Sequence, residues 1–158
     1  MKNNVFDLVN IKKVEKDSLL KNKLLEFIKN FSWEEVKEHT YRVVKNWEFV
    51  DWETPFVALY DNQIVGMATI MKSDYYPLTN IFPWVSTIFV TEDYRGCKIS
   101  KKLVDFANNY AKQLGFKKSY IPTDIVGFYE KYGYTYIKDI VNYGNEIDRL
   151  YVKDLKYC

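Results

Sequence analysis

Apolar positions along the chain change their period several times, and each change predicts a new element. Residues 5–14, VFDLVNIKKV, alternate well enough to predict a first strand. From residue 17 the period lengthens. Leu20, Leu24, Phe27 and Ile28 recur at helical spacing, and Asp17 or Ser18 supplies the N-cap. Ser32 and Glu35 have the spacing of a capping box, which predicts a second helix through SWEEVKEHTYRVVKNW. Two β-rich runs in PFVALYDNQIVGMATIM, joined at DNQ, predict a hairpin over 55–71. A loop with Pro77 and Pro83 follows, then a strand, WVSTIFV, over 84–90. In ISKKLVDFANNYAKQL the residues Ile99, Leu103, Phe106, Ala107, Tyr110, Ala111 and Leu114 share one helical face, and Gly115 ends that helix. KKSYI is a short strand closed by Pro122. Thr123 or Asp124 caps a short helix, IVGFYEKY, that Gly133 stops. YTYIKDI and DRLYVKDL are the last two strands.

The predicted order is therefore β-α-α-β-β-β-α-β-α-β-β. The strand over 84–90, the long helix and the strand over 118–121 form a βαβ unit, so those two strands pair in parallel. The hairpins make the rest of the sheet antiparallel. The expected class is α+β, a mixed central sheet with helices on both faces. No repeat or Gly/Ser/Pro linker divides the chain, and 158 residues fit one domain, 1–158.

Charge and cysteine content narrow the function. The formal net charge is +2, too small to imply nucleic-acid or membrane binding. Cys97 and Cys158 make no disulfide framework, no apolar run reaches signal or transmembrane length, and no metal-ligand spacing is present. A cytoplasmic protein is expected. Aromatic residues reach 18%, enough that some are expected to line a pocket rather than fill the core.

The turn YRGCKISKKL, residues 94–103, joins a strand to a helix start. A helix N-terminus presents amides outside its own ladder and the positive end of a dipole. A glycine turn lets an anion approach such a start, and Arg95, Lys98, Lys101 and Lys102 add charge there. The alternative is a solvated basic helix start. The fingerprints GxGxxG and GxxxxGK[ST] are absent. The stretch IFVTEDYRGCKISKKLVDFANNYAKQLGF resembles motif A of the GNAT family of N-acetyltransferases: an apolar strand, a Q/R-x-x-G-x-G/A loop and a helix. FYEKYGY, residues 128–134, resembles the family's motif B, FY-x-K-x-GF. The resemblance covers nearly the whole chain and is strongest over 84–137. Arg95 matches the first loop position, but the first glycine falls on Lys98 and the Gly/Ala position on Ser100. Both are expected at a helical φ, with amides that still face a phosphate.

The resemblance implies a three-layer fold with splayed parallel strands around acetyl-CoA. It also implies direct acetyl transfer to the amine of a small molecule or peptide. Ile88, Phe89 and Val90 would line the pantetheine arm, with an amide near Ile88 on the thioester carbonyl. Arg95, Gly96, Cys97, Lys98, Ile99, Ser100 and Lys101 would hold the pyrophosphate. Asp124, Phe128 and Lys131 would complete the cofactor's surroundings, Phe128 and Tyr132 also reading as core. Among 14 tyrosines a lone Tyr carries no signal, but Tyr129 matches the motif B tyrosine that protonates the leaving thiolate. A phenol titrates near ~10 and is a competent acid at neutral pH. The alternative is packing against the cofactor's sulfur.

No carboxylate lies on 84–90, so the amine is expected to lose its proton to ordered water relayed by backbone carbonyls and Ser86 or Thr87. Asp74, Glu53 and Asp51 are candidate bases in flanking loops, while His39 sits in a polar helix and reads as solvated. The family places its acceptor by the first two helices and the loop 74–83. Phe31, Trp33, Trp52, Asp74, Tyr75 and Trp84 are the substrate-binding candidates there, an aromatic and acidic mix suited to a cationic amine. The same residues also serve to close the core. The altered loop and the missing strand carboxylate leave a second function open, a CoA-binding regulatory module with little or no catalysis. A toxin-like enzyme acting on charged tRNA is disfavoured by the small net charge. Monomer and homodimer both remain open.

Overall fold

The computed structural model describes residues 2–157. In chain order the elements are α1 (Lys2–Leu8), β1 (Asn10–Lys13), α2 (Leu19–Lys29), α3 (Glu34–Lys45), β2 (Thr54–Tyr60), β3 (Gln63–Met71), β4 (Trp84–Val90), α4 (Ile99–Gln113), β5 (Lys118–Thr123), β6 (Thr135–Val141) and β7 (Ile147–Asp154). Single 3₁₀ turns cover Glu92–Tyr94, Tyr129–Tyr132 and Leu155–Tyr157. The strands form one mixed seven-stranded sheet in the order β1-β2-β3-β4-β5-β7-β6. Trp84 of β4 pairs in parallel with Tyr120 of β5, as the βαβ pattern predicts. β5 and β6 each pair antiparallel with β7. Cys158 lies outside the described residues. Among the described residues no helix is long and apolar enough to cross a membrane.

The chain packs as two compact units. The first holds the chain up to Thr69 together with Thr87–Val104, and the second holds Ile70–Ser86 and the chain from Asp105 on. In the first, Leu24 and Ile28 of α2 are fully buried, and Phe31 stacks on Phe89 of β4 with ring centroids 4.2 Å apart. Phe27 meets both rings edge-on at 5.5 and 5.9 Å. Burying one such ring stabilises by about 2–3 kcal/mol, so this trio fixes the end of α2 on the end of β4. Gly66 of β3 carries no side chain because a Cβ there would sit 3.0 Å from the Phe89 carbonyl. In the second unit, Trp84 is fully buried and stacks on Tyr76, within a cluster completed by Ile140 and Leu150.

Several elements differ from the sequence expectation. Residues 5–14 divide into α1 and β1. Val5 and Val9 are both buried, and their i,i+4 spacing fits a helical turn as well as an alternating strand. Ser18 caps α2 as expected, accepting the Lys21 amide, but α3 starts from Trp33 with no side-chain cap, so the capping box at Ser32 does not form. Glu34 and Glu35 instead place acidic charge in its first turn. The hairpin turn is Asp61-Asn62, both left-handed (φ 51° and 62°), as a type I′ turn requires. The expected helix at 125–132 shrinks to the 3₁₀ turn at Tyr129–Tyr132. Gly127 at φ 83° breaks any helix before it, and Thr123 Oγ1 accepts the Ile125 amide at 3.1 Å in a local turn. β5 continues through Pro122, which pairs with Leu150.

Tyr134 is the last residue of motif B and holds its end in place. Its hydroxyl lies 2.8 Å from Ser119 Oγ and donates to Asn108 Oδ1 at 3.1 Å, and all three residues are buried. Ser119 also donates to Asn108 at 2.6 Å. Phenylalanine, the usual residue at this motif position, is therefore predicted to be the worse residue here. Tyr134→Phe costs about 1 kcal/mol, because a buried hydrogen bond is lost while Ser119–Asn108 survives. In urea unfolding the midpoint should fall with the slope unchanged; an unchanged midpoint would contradict the network's role.

Candidate functional site

In the first unit the candidate residues sit on β4, the turn after it and the start of α4. Two of them have unusual backbones. Thr87 is β-branched and yet lies at φ 49°, an arrangement that costs on the order of 1–3 kcal/mol. It interrupts the regular pleat just before Ile88 and so re-aims the Ile88–Val90 backbone. Lys98 lies at φ 61°, not at the helical φ expected from the sequence. The residue occupying the family's first glycine position thus keeps the left-handed backbone that glycine would supply, at the expense of strain at its own Cβ. Gly96, two residues earlier, is also left-handed at φ 83°, and a Cβ built there meets nothing within 4 Å. The turn therefore exposes its backbone over Gly96 and throws the chain into α4, whose first turn carries no acidic residue.

Arg95 and Lys102 are committed to structure. Arg95 Nε donates to the Val90 carbonyl at 3.0 Å, with its guanidinium 5.6 Å from the Phe89 ring centroid. That bond takes the Val90 carbonyl, while the Thr91 amide donates to Val65 at 2.9 Å. Lys102 Nζ donates to Val9 at 3.0 Å and lies 4.5 Å over the Phe6 ring. Lys98 is exposed, and Ser100 and Lys101 are half-buried. Cys97 and Ile99 turn inward, at 5% and 1% exposure, and contribute through their backbones rather than their side chains. Trp33 is exposed and Trp52 half-buried, whereas Phe31 fills the core against Phe89. Glu53 is buried and accepts the Val50 amide at 3.0 Å, which gives it a structural task. Asp51 is exposed, and His39 is exposed beside Arg42.

In the second unit Tyr129 is only 8% exposed, packed edge-on against Phe128, Tyr132 and Tyr134. Its hydroxyl makes no hydrogen bond among the described residues. Burial, with a smaller contribution from Tyr132, pushes its phenol well above the usual range. It is therefore neutral and a donor across physiological pH. Phe128 is half-buried, while Asp124 and Lys131 are exposed. Trp84 lies wholly in the core, and its indole nitrogen finds no partner among the described residues. Tyr75 is exposed and meets Tyr143 edge-on at 5.6 Å.

Asp74 has an arrangement that sequence spacing does not reveal. One carboxylate oxygen accepts the Tyr75 amide at 2.6 Å, and the other accepts the hydroxyl of Ser86 on β4. β4 carries no carboxylate of its own, and the preceding loop delivers one to it. The only signal in the sequence was the acidic residue in a loop before a strand bearing serine. Among the described residues no group of three or more His, Cys, Asp or Glu is placed to hold a metal.

Known proteins share this arrangement of elements. The chain is 27% identical over 96 residues to N-alpha-acetyltransferase 30 of Schizosaccharomyces pombe, across 58% of this chain, and it spans 63% of that relative's length. Aminoglycoside 6'-acetyltransferase type Ii has the same fold, with a TM-score of 0.73 at 18% identity over 92% of this chain and 97% of that one. An aminoglycoside 6'-N-acetyltransferase complexed with coenzyme A matches with a TM-score of 0.71 at 15% identity, over 92% and 97%. The model of the acetyltransferase (GNAT) family matches residues 21–134, well over half of the sequence, and the chain belongs to that family.

Proposed function

We propose that the protein is an acetyl-CoA-dependent N-acetyltransferase acting on a primary amine of a small molecule or peptide. The observation that carries this reading is the turn after β4. Gly96 and Lys98 are both left-handed, the space over Gly96 is open, and the helix that follows starts without acidic residues. Such a turn suits a pyrophosphate. Names of relatives agree with it: an N-alpha-acetyltransferase, and an aminoglycoside acetyltransferase complexed with coenzyme A.

The residues present fit the cofactor. Gly96 to Ser100 offer their backbone, and Lys98 and Lys101 offer charge. Arg95 and Lys102 act indirectly, by fixing the turn and adding to the local potential. Ile88, Phe89 and Val90 would line the pantetheine arm, with the Ile88 amide as the donor to developing negative charge at the thioester oxygen. Asp124, Phe128 and Lys131 complete the surroundings. Acetyl-CoA supplies the activated acyl group. Tyr129, neutral and with a hydroxyl that makes no hydrogen bond among the described residues, would donate a hydrogen bond to the departing sulfur. Its raised proton affinity makes it a strong holder of its proton, so its contribution is chiefly the hydrogen bond. Asp74 and Tyr75 of the loop before β4 would receive the amine, Trp33 and Trp52 are further candidates for that role in the first unit, and Phe31 and Trp84 are core residues of their own units.

Gly96→Glu tests the turn. Because φ 83° strains any side chain, the reference is Gly96→Asn, which tolerates that backbone and carries no charge. By calorimetry, Gly96→Glu should bind acetyl-CoA at least tenfold more weakly than Gly96→Asn, about 1.4 kcal/mol. Equal affinities in folded variants would remove the turn from the cofactor site.

Tyr129→Phe keeps the ring and deletes the donor. A fall in kcat of about 10²-fold with unchanged acetyl-CoA affinity is expected. A raised phenol pKa means the neutral donor persists as pH rises and is lost only above the ordinary ~10. Wild-type kcat should accordingly show no alkaline fall up to that pH. A Tyr129→Phe variant with wild-type kcat would leave Tyr129 a packing residue.

A further inference from the structure

The polar side chains that β4 offers are Ser86 and Thr87, and the hydroxyl of Ser86 is given to Asp74. The carboxylate is held in place from several sides. The Tyr75 amide fixes its other oxygen. Tyr75 is itself tied down, its carbonyl accepting the Tyr143 amide at 3.2 Å. Tyr76 donates to Asp148 on β7 at 2.6 Å and stacks on the buried Trp84. The loop is thus held at three successive residues, and it presents one oxygen of the Asp74 carboxylate to Ser86. Neither Ser86 nor Asp74 is fully buried, so both remain within reach of a ligand.

We infer that Ser86 and Asp74 form a proton relay for the acceptor: Ser86 Oγ takes the proton from the bound ammonium group while its own proton passes to Asp74. In this step the amine N–H bond breaks, its electron pair stays on nitrogen, Ser86 exchanges one O–H for another, and a carboxylic acid forms on Asp74. The amine is left neutral and nucleophilic, and the acid later returns its proton to solvent. No further reactant is needed. A fixed carboxylate thus takes the place of the ordered water expected from the sequence alone. This inference rests on the proposed N-acetyltransferase function.

Titratable groups close to the loop's own tyrosines include Asp148 and Asp124, which act on Tyr76, and Tyr143, which meets Tyr75, and Lys72 lies two residues before Asp74. Tyr76 is pushed upward, by burial first and then by its bond to Asp148, so it holds its proton throughout the assay range.

The test is the pH profile of kcat/KM, followed by free CoA release with a panel of primary amines. The wild type should rise through an acid limb to a plateau. Asp74→Asn should be about 10²-fold slower at pH 7 and show no plateau, its rate climbing tenfold per pH unit towards the pKa of the amine, near ~10.4 for a lysine-like acceptor. Ser86→Ala should lose kcat with little change in KM, and Ser86→Thr, which keeps a hydroxyl, should recover most of it. Glu146→Gln should keep the wild-type profile. Independently of turnover, carboxyl-carbon NMR of labelled aspartate should show Asp74 titrating along the same limb, and Ser86→Ala should displace that titration. A wild-type profile in Asp74→Asn, or an Asp74 titration that does not coincide with the limb, overturns the relay. If Asp74→Asn does not fold, Ser86→Ala with the wild-type rate at every pH does the same. If the wild type acetylates no amine at all, the proposed function falls and the relay with it, an outcome distinct from active enzyme with an unchanged profile.

Discussion

The turn between β4 and α4 works only if the backbone goes left-handed twice within three residues, at Gly96 and at Lys98. That constraint decides what the turn can present. The left-handed path bends the chain between the 3₁₀ turn at Glu92–Tyr94 and α4 and leaves open space over Gly96. For Gly96 the conformation is nearly free of strain, but Lys98 holds it against its own Cβ. The turn is stabilised from elsewhere: Arg95 on the Val90 carbonyl, Cys97 and Ile99 buried beneath it, and the Phe27–Phe31–Phe89 stack on the strand that leads in.

β4 and α4 carry this turn, and both contribute residues to each compact unit. They are also the elements most legible in the sequence. WVSTIFV is a β-rich run broken only by Ser86 and Thr87, and six residues from Ile99 to Ala111 recur at helical spacing on one face of α4, while Leu114 falls beyond its end and is exposed. The hairpin was equally plain, because Asp61-Asn62 accept left-handed φ readily. Short segments were less legible. Val5 and Val9 satisfy period two and period 3.6 alike, and the residues around Gly127 carry helical composition while the glycine forbids a helix.

In the candidate site, Tyr129 was singled out by resemblance to a family motif and the turn by its basic residues, whereas backbone conformation was not legible. Nothing in a lysine announces a left-handed φ, and a β-branched Thr87 argues against one. The Asp74–Ser86 bond joins residues twelve positions apart through an irregular loop, where neither helical nor strand periodicity applies. Aromatic residues expected at the acceptor divide by burial, which composition cannot foresee: Trp84 and Phe31 are core, while Trp33 and Tyr75 are at the surface.

Amide NMR during titration with CoA tests the central claim most directly, because it reports where the anion sits without depending on turnover. The account predicts that the amides of Gly96, Cys97, Lys98, Ile99 and Ser100 move first and furthest, with Ile88–Val90 following. A contradictory result would leave those amides still while the largest shifts fell on the groove lined by Lys118, Gly133, Lys153 and Asp154.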